Sequence, residues 1–193
     1  MSEKSSTFAA NFENMIKEIP DFPKPGICFF EITPFLLNPN EVQDVVSAFC
    51  KQLQPLLADG PIAIIGPDAR GFIFASMVAY ALKQPFFMLR KAGKLPDDGT
   101  QVTFSAEKEY GSSQFAVNIS DLDALKAQGI TRAVIMDDIF ATGYTCRSTA
   151  RFFMDHGFEV PLVLNLIEIN GLGGRERMEQ CGIPVYSYMT RSE

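Results

Sequence analysis

The residues best suited to chemistry are two adjacent carboxylates, Asp137 and Asp138. They follow the apolar run 133–136 and precede Ile139-Phe140-Ala141-Thr142-Gly143-Tyr144-Thr145. Folding alone gives little reason to place two acids at a strand end, because unpaired they repel each other. Together they can accept hydrogen bonds from a vicinal diol, or sit beside a magnesium ion carried by a ligand. The turn at 141–145 offers successive backbone N–H groups at a helix N-terminus, where the donors and the helix dipole hold a phosphate. The hydroxyls of Thr142 and Thr145 add two donors. A diol reader beside a phosphate cradle is a ribose 5-phosphate site. In the competing reading the acids merely open a loop and Thr142 caps the helix.

Other chemistries fall away. His156 is the only histidine, so sites built on several histidines are excluded. No G-x-S-x-G elbow is present, and Met154-Asp155-His156-Gly157 reads as a helix end. No G-x-G-x-x-G follows the first strand, Gly171-Leu172-Gly173-Gly174 has the wrong spacing, and no Gly-Lys-Thr or Gly-Lys-Ser occurs. Cys28, Cys50, Cys146 and Cys181 are widely scattered, which suits reduced thiols in a cytoplasmic protein rather than a disulfide frame or zinc knuckle. The net charge of −6 disfavours general binding to nucleic acid or an anionic membrane. The longest apolar run, 72–82, falls short of the roughly 18 residues of a membrane span. The polar first residues lack the apolar stretch of a secretory signal.

The elements that must position these residues read as alternating helices and strands. Phe8, Phe12, Met15, Ile16 and Ile19 recur at helical spacing, and Pro20, Pro23 and Pro25 then impose an irregular stretch. A second helix follows Asn40 as N-cap, with an apolar stripe from Val42 to Leu57 and a stop at Gly60-Pro61. Strands are expected at 62–65, 86–89, 115–119, 133–136, 162–167 and 185–189. Helices are expected at 72–82, buried on most sides, and at 146–155. The stretch 92–113 is polar and broken only by Val102-Thr103-Phe104, so it reads as loop.

Short apolar strands alternating with helices make an α/β fold, a mostly parallel central sheet with helices on both faces. In such sheets ligands bind beyond the carboxyl ends of the strands. A length of 193 residues with 47% apolar types suits a single domain.

Five motifs then point to a family. They are Pro20-Asp21-Phe22-Pro23-Lys24-Pro25-Gly26, Asp68-Ala69-Arg70-Gly71-Phe72, Arg90-Lys91-Ala92-Gly93-Lys94-Leu95-Pro96, Glu109-Tyr110-Gly111 and Gly174-Arg175-Glu176. With the segment 133–145 they occur in an order that resembles the type I phosphoribosyltransferases. From residue 19 to about 178 the chain is similar to the adenine-specific members.

The resemblance implies transfer of the 5-phosphoribosyl group from phosphoribosyl pyrophosphate (PRPP) to adenine, giving AMP and pyrophosphate in purine salvage. It also implies Mg2+ bound with PRPP, no metal held by the protein directly, and a homodimer. Residues 1–35 would contribute a base-binding hood and 92–113 a flexible lid. By the same resemblance Asp137 and Asp138 hold the ribose hydroxyls, and Ala141, Thr142, Gly143, Tyr144 and Thr145 the 5′-phosphate. Arg70, Arg90, Lys91 and Lys94 bind pyrophosphate. Phe29 stacks on the purine, backbone groups around Cys28 and Phe30 read its edge, and Leu172 closes the other side. Glu109 is the general acid/base, with Tyr110 helping to close the site. Plain core packing competes as the role of Phe29, and a solvated loop charge as that of Glu109.

Two other functions are weighed. A 6-oxopurine phosphoribosyltransferase commonly carries an acid inside the phosphate loop, where this chain has Ala141. A PRPP-sensing regulator would be expected to carry a nucleic-acid-binding region, for which the segment before Ile19 is too short. The chain also departs from the adenine-specific pattern. Tyr144 stands at a second glycine, Phe30 at a basic residue and Glu31 at an aspartate, and Ala106-Glu107-Lys108 lengthen the lid.

Overall fold

The computed structural model describes residues 15–108 and 111–192, which divide into two compact units with the boundary between residues 47 and 48. In the first unit, β1 (Lys17–Ile19) pairs antiparallel with β2 (Phe29–Glu31), in the register Lys17 opposite Glu31. The helix expected to run to Ile19 therefore gives way to a strand at 17–19; its earlier residues, up to 14, lie outside the described part. Helical spacing misleads here because a three-residue strand is set by its distant partner rather than by local periodicity. The proline-rich stretch between the strands is irregular, as expected, with Gly26 donating its N–H to Asp21 Oδ1 at 2.8 Å. A single turn, α1 (Thr33–Leu36), follows with Pro34 in its first turn. The helix α2 (Pro39–Leu57) begins one residue before the expected cap. Asn38 accepts the first helical bond from Val42, so Asn40 lies inside the helix, and Pro39 takes the first helical position that suits proline.

The second unit is built on a seven-stranded sheet in the order β5-β6-β4-β3-β7-β8-β9. Its strands are β3 (Ala63–Pro67), β4 (Phe86–Lys91), β5 (Gln101–Lys108), β6 (Gly111–Asn118), β7 (Ala133–Phe140), β8 (Val163–Asn170) and β9 (Val185–Ser192). From β4 to β9 neighbours run parallel. At the other end β6 runs antiparallel to β4, and β5 to β6. The four helices of this part are α3 (Gly71–Leu82), α4 (Ile119–Ala127), α5 (Tyr144–Asp155) and α6 (Gly174–Glu179). Every residue of β3 is buried, as are the first seven of β8. That is the signature of central parallel strands covered on both faces. Ile64, Ile65, Val134, Ile135, Leu164, Phe74 and Phe153 are fully buried among them.

Two expectations change. The stretch read as polar loop is largely a β-hairpin, in register from Gln101 opposite Asn118 to Lys108 opposite Gly111. The strand expected at 62–65 runs on through Gly66 to Pro67 as β3. The helix α3 is buried or half-buried on most sides, as expected, and leaves one exposed stripe of Met77, Tyr80 and Ala81, with Tyr80 88% exposed. His156 does end α5, and Gly157 follows at φ +82°, the left-handed conformation that closes helices.

Strand order fixes where a ligand can enter. After β3 the chain moves to β4 on one side, and later to β7 on the other. The carboxyl ends of β3 and β7 therefore flank the point where the winding reverses, the usual ligand crevice of such sheets.

Candidate functional site

The segments at that reversal carry the expected residues. Asp137 and Asp138 lie within β7, which continues to Phe140, so they do not open a loop. Asp138 is 4% exposed and forms an ion pair with Arg70, Nε to Oδ2 at 2.8 Å. Arg70 sits between β3 and α3, so this pair bridges the two strand ends flanking the reversal. Asp137 accepts the Asp138 backbone N–H on Oδ1 at 2.9 Å. Burial, and next the neighbouring charge of Asp138, push the Asp137 carboxyl well above its usual range. Two adjacent carboxyls repel each other, and hydroxyl donors from a sugar diol would relieve that repulsion. Gly71 belongs to the same arrangement: a Cβ there would come within 3.0 Å of Asp137 Oδ1 and of the Met136 carbonyl oxygen.

Beyond Phe140, the turn Ala141-Thr142-Gly143 leads into α5. Gly143 is the N-cap at φ +74°, and no side chain caps the helix. The reading in which Thr142 serves as cap is thereby overturned, and the first N–H groups of α5 have no side-chain acceptor in their way. A twelve-residue helix with uncapped first-turn donors has the chemistry to accept an anion. Tyr144 opens the helix without a positive φ, so the residue that replaces the second glycine does not distort the turn.

The cations expected for pyrophosphate divide. The Asp68 side chain, 5% exposed, accepts the Lys91 backbone N–H at 3.3 Å and pairs with Lys94 Nζ at 3.4 Å. A buried acid thus ties the β3–α3 turn, which also carries Arg70, to the end of β4. Arg90 and Lys91 are consecutive in β4, and the pleat sends them to opposite faces.

Leu172 is half-buried between Gly171 and Gly173, both at positive φ, after β8. In the first unit, Phe30 is buried and Cys28 exposed, while the half-buried Phe29 packs edge-to-face on Phe22 with ring centroids 5.2 Å apart. Phe29 is therefore not a fully enclosed core residue. Glu109 and Tyr110 lie outside the described residues.

Sequence reasoning missed residues that brace this site from behind. A Cβ on Gly174 would overlap the Ala141 carbonyl oxygen and come within 3.0 Å of Phe140 Cε1, so only glycine lets α6 press against the phosphate turn. Arg175 holds Glu168, which is 4% exposed, through Nε–Oε1 at 2.9 Å and Nη2–Oε2 at 2.5 Å, and donates to the Val185 carbonyl at 2.9 Å. Gly174 and Arg175 stand in a quoted motif, but their spacing carries no sign of these contacts. Asp68 also stands in one, and an acid among small residues after a strand was its available signal.

Comparison with known proteins shows the family. Residues 35–167 match the model of the phosphoribosyl transferase domain. The adenine phosphoribosyltransferase of Desulfitobacterium hafniense is 40% identical over 179 residues, 93% of this chain and 96% of the relative. The crystal structure of the Rhodothermus marinus adenine phosphoribosyltransferase superposes with a TM-score of 0.79 at 33% identity, covering 96% of this chain and 99% of that one. The Saccharomyces cerevisiae enzyme, solved with an imino-altritol bisphosphate and adenine, gives 0.77 at 28% identity, covering 94% and 98%. By its fold, its strand-end acids and these relatives, the chain belongs to the adenine phosphoribosyltransferase family within the phosphoribosyltransferases.

Proposed function

We propose that the protein transfers the 5-phosphoribosyl group of PRPP to adenine, releasing pyrophosphate and forming AMP. The observation that carries this reading is the acid pair of β7, Asp138 buried and Asp137 half-buried, running directly into an uncapped helix N-terminus. In this proposal one sugar phosphate lays its diol on Asp137 and Asp138 and its 5′-phosphate on the turn 141–145. Fixing both ends of the sugar holds the anomeric carbon in line between base and leaving group. As the bond to pyrophosphate breaks, positive charge grows on the sugar. The neighbouring carboxylates favour that charge, while Arg70, Lys91 and Lys94 favour the departing anion.

The acids are hard oxygen donors and the leaving group is a polyphosphate, a setting that fits magnesium held mainly by the substrate. Magnesium carried with PRPP neutralises part of the pyrophosphate charge. Arg90 joins the cation set in this proposal on the family resemblance alone. The base assignments, Phe29 stacking with Cys28 and Phe30 backbone groups at the purine edge and Leu172 opposite, rest on the family resemblance. The same holds for proton exchange by Glu109 and closure by Tyr110.

Adenine is preferred over hypoxanthine or guanine because Ala141 leaves the phosphate turn without the acid that 6-oxopurine enzymes place there. We also infer a homodimer, supported by Met77 and Tyr80, large exposed side chains one turn apart on α3. A cytoplasmic location is supported by four unpaired cysteines. Among the described residues no helix is long and apolar enough to cross a membrane. The test is turnover of adenine, hypoxanthine and guanine with PRPP and Mg2+ by the purified protein. AMP formation from adenine supports the proposal, and turnover of the oxopurines alone would overturn it.

A further inference from the structure

We infer that Arg177 is a positioning residue for the 5′-phosphate turn, locking Tyr144 and Thr142 in their binding conformation. The inference rests on the phosphoribosyl reading of that turn. A phosphate cradle points its N–H groups at the ligand, so its carbonyls point away and need donors behind them. Arg177 supplies one: Nη1 donates to the Thr142 carbonyl, and reaches the Gly173 carbonyl at 3.4 Å. Its guanidinium carbon lies 3.9 Å from the centroid of the Tyr144 ring, a cation–π contact at close range.

One side chain on α6 thus grips two consecutive parts of the phosphate site, the turn carbonyl and the first helical residue of α5. The backbones behind it are equally close. A Cβ on Gly143 would come within 3.0 Å of the Gly174 carbonyl oxygen, and one on Gly174 would overlap Ala141. The two loops are therefore packed backbone to backbone, and Arg177 is the side chain that pins them. Tyr144 completes the clasp: a glycine at this position would offer Arg177 no ring, so the departure noted at residue 144 is matched by a partner thirty-three positions away. A guanidinium suits the task because its fork can serve two carbonyls while its face covers an aromatic ring.

The test compares wild type, Arg177→Ala, Arg177→Lys, Tyr144→Ala and the Arg177→Ala/Tyr144→Ala double variant. Steady-state kinetics, thermal melting and calorimetric binding of ribose 5-phosphate are measured on each. Arg177→Ala should raise KM for PRPP and Kd for ribose 5-phosphate about tenfold while KM for adenine stays within about twofold. Arg177→Lys should recover part of the loss, since an ammonium still donates to the Thr142 carbonyl. The double variant should bind about as weakly as the worse single variant, the mark of two groups acting as one device. Unchanged ribose 5-phosphate binding in Arg177→Ala would overturn the inference. So would strictly additive effects, or a rise in adenine KM equal to that for PRPP. Wild-type protein that bound no ribose 5-phosphate would instead overturn the phosphoribosyl reading, and the inference with it.

Discussion

Replacing Gly174 with alanine probes the phosphate turn with the smallest side chain available. Gly174 has no positive φ, so the backbone accepts alanine and only space opposes it. The new methyl would overlap the Ala141 carbonyl oxygen and sit 3.0 Å from Phe140 Cε1. Phe140 is 1% exposed and cannot swing away, so the turn or α6 must retreat. Restoring ordinary contact takes a shift on the order of 1 Å, because dispersion contacts turn steeply repulsive at shorter range. Overpacking of this kind costs about 1–3 kcal/mol. At about 2–4 °C per kcal/mol for a chain of this size, the melting temperature should fall by roughly 2–12 °C. A displacement of about 1 Å in a positioning element can cost about 10²-fold in rate, so kcat/KM for PRPP should fall by about that factor. Gly129→Ala is the comparator: Gly129 has φ +75°, with nothing within 4 Å of its Cβ. It should lower stability by about 1 kcal/mol through backbone strain and leave kcat/KM unchanged. Melting curves and steady-state assays on both variants decide the matter. A Gly174→Ala enzyme that melts lower yet keeps its kcat/KM for PRPP would refute the claim that α6 holds the turn in place.

Asp137→Asn should move stability and binding in opposite directions. The Asp137 carboxyl titrates above its usual range because of burial and the charge of Asp138. The folded state therefore holds that proton more tightly than the unfolded one, and wild-type stability declines as pH rises from about 4 through the raised value. The amide carries no such penalty, so its melting advantage should widen over that window and then level off, while affinity for PRPP falls; a lower melting temperature at neutral pH would contradict this. Arg175→Met strands Glu168, 4% exposed, without its partner. The expected loss is about 2 kcal/mol, below the 3–5 of a fully buried pair because Arg175 is 41% exposed and water screens it, with partial recovery when Glu168→Gln is added. Chemical denaturation measures both, and an unchanged midpoint in Arg175→Met would show the pair to be inert. Glu109→Gln should lower kcat about 10²-fold or more with PRPP affinity nearly intact, as general acid/base work requires, and an unaltered kcat would remove Glu109 from the mechanism.

Much of this fold is legible because the parallel strands are short, uniformly apolar runs, and the acids of β7 stand out against one. The expected strand at 115–119 is the second half of β6, whereas β5 is not anticipated although Val102, Phe104 and Ala106 alternate with polar residues, a period-two signal obscured by the overall polarity of the stretch. The helix α4 escaped notice because it buries only Leu122 and Leu125. Its start was still marked, since Asn118 occupies the N-cap and Asp121 the first turn. The pair of short strands in the first unit has no local signature at all. At the site, the chemistry was legible in residues that must face a ligand. The braces Gly174 and Arg177 are not, because their partners Ala141 and Thr142 meet them only after β8 has been laid beside β7, and Arg175 meets Glu168 seven positions back with no local signature.

The most direct measurement is a crystal of the protein soaked with AMP. Both ribose hydroxyls should rest on the carboxylates of Asp137 and Asp138, with the phosphate enclosed by the N–H groups of 141–145. Nucleotide bound elsewhere, with Asp138 still paired to Arg70 and the turn empty, would contradict it.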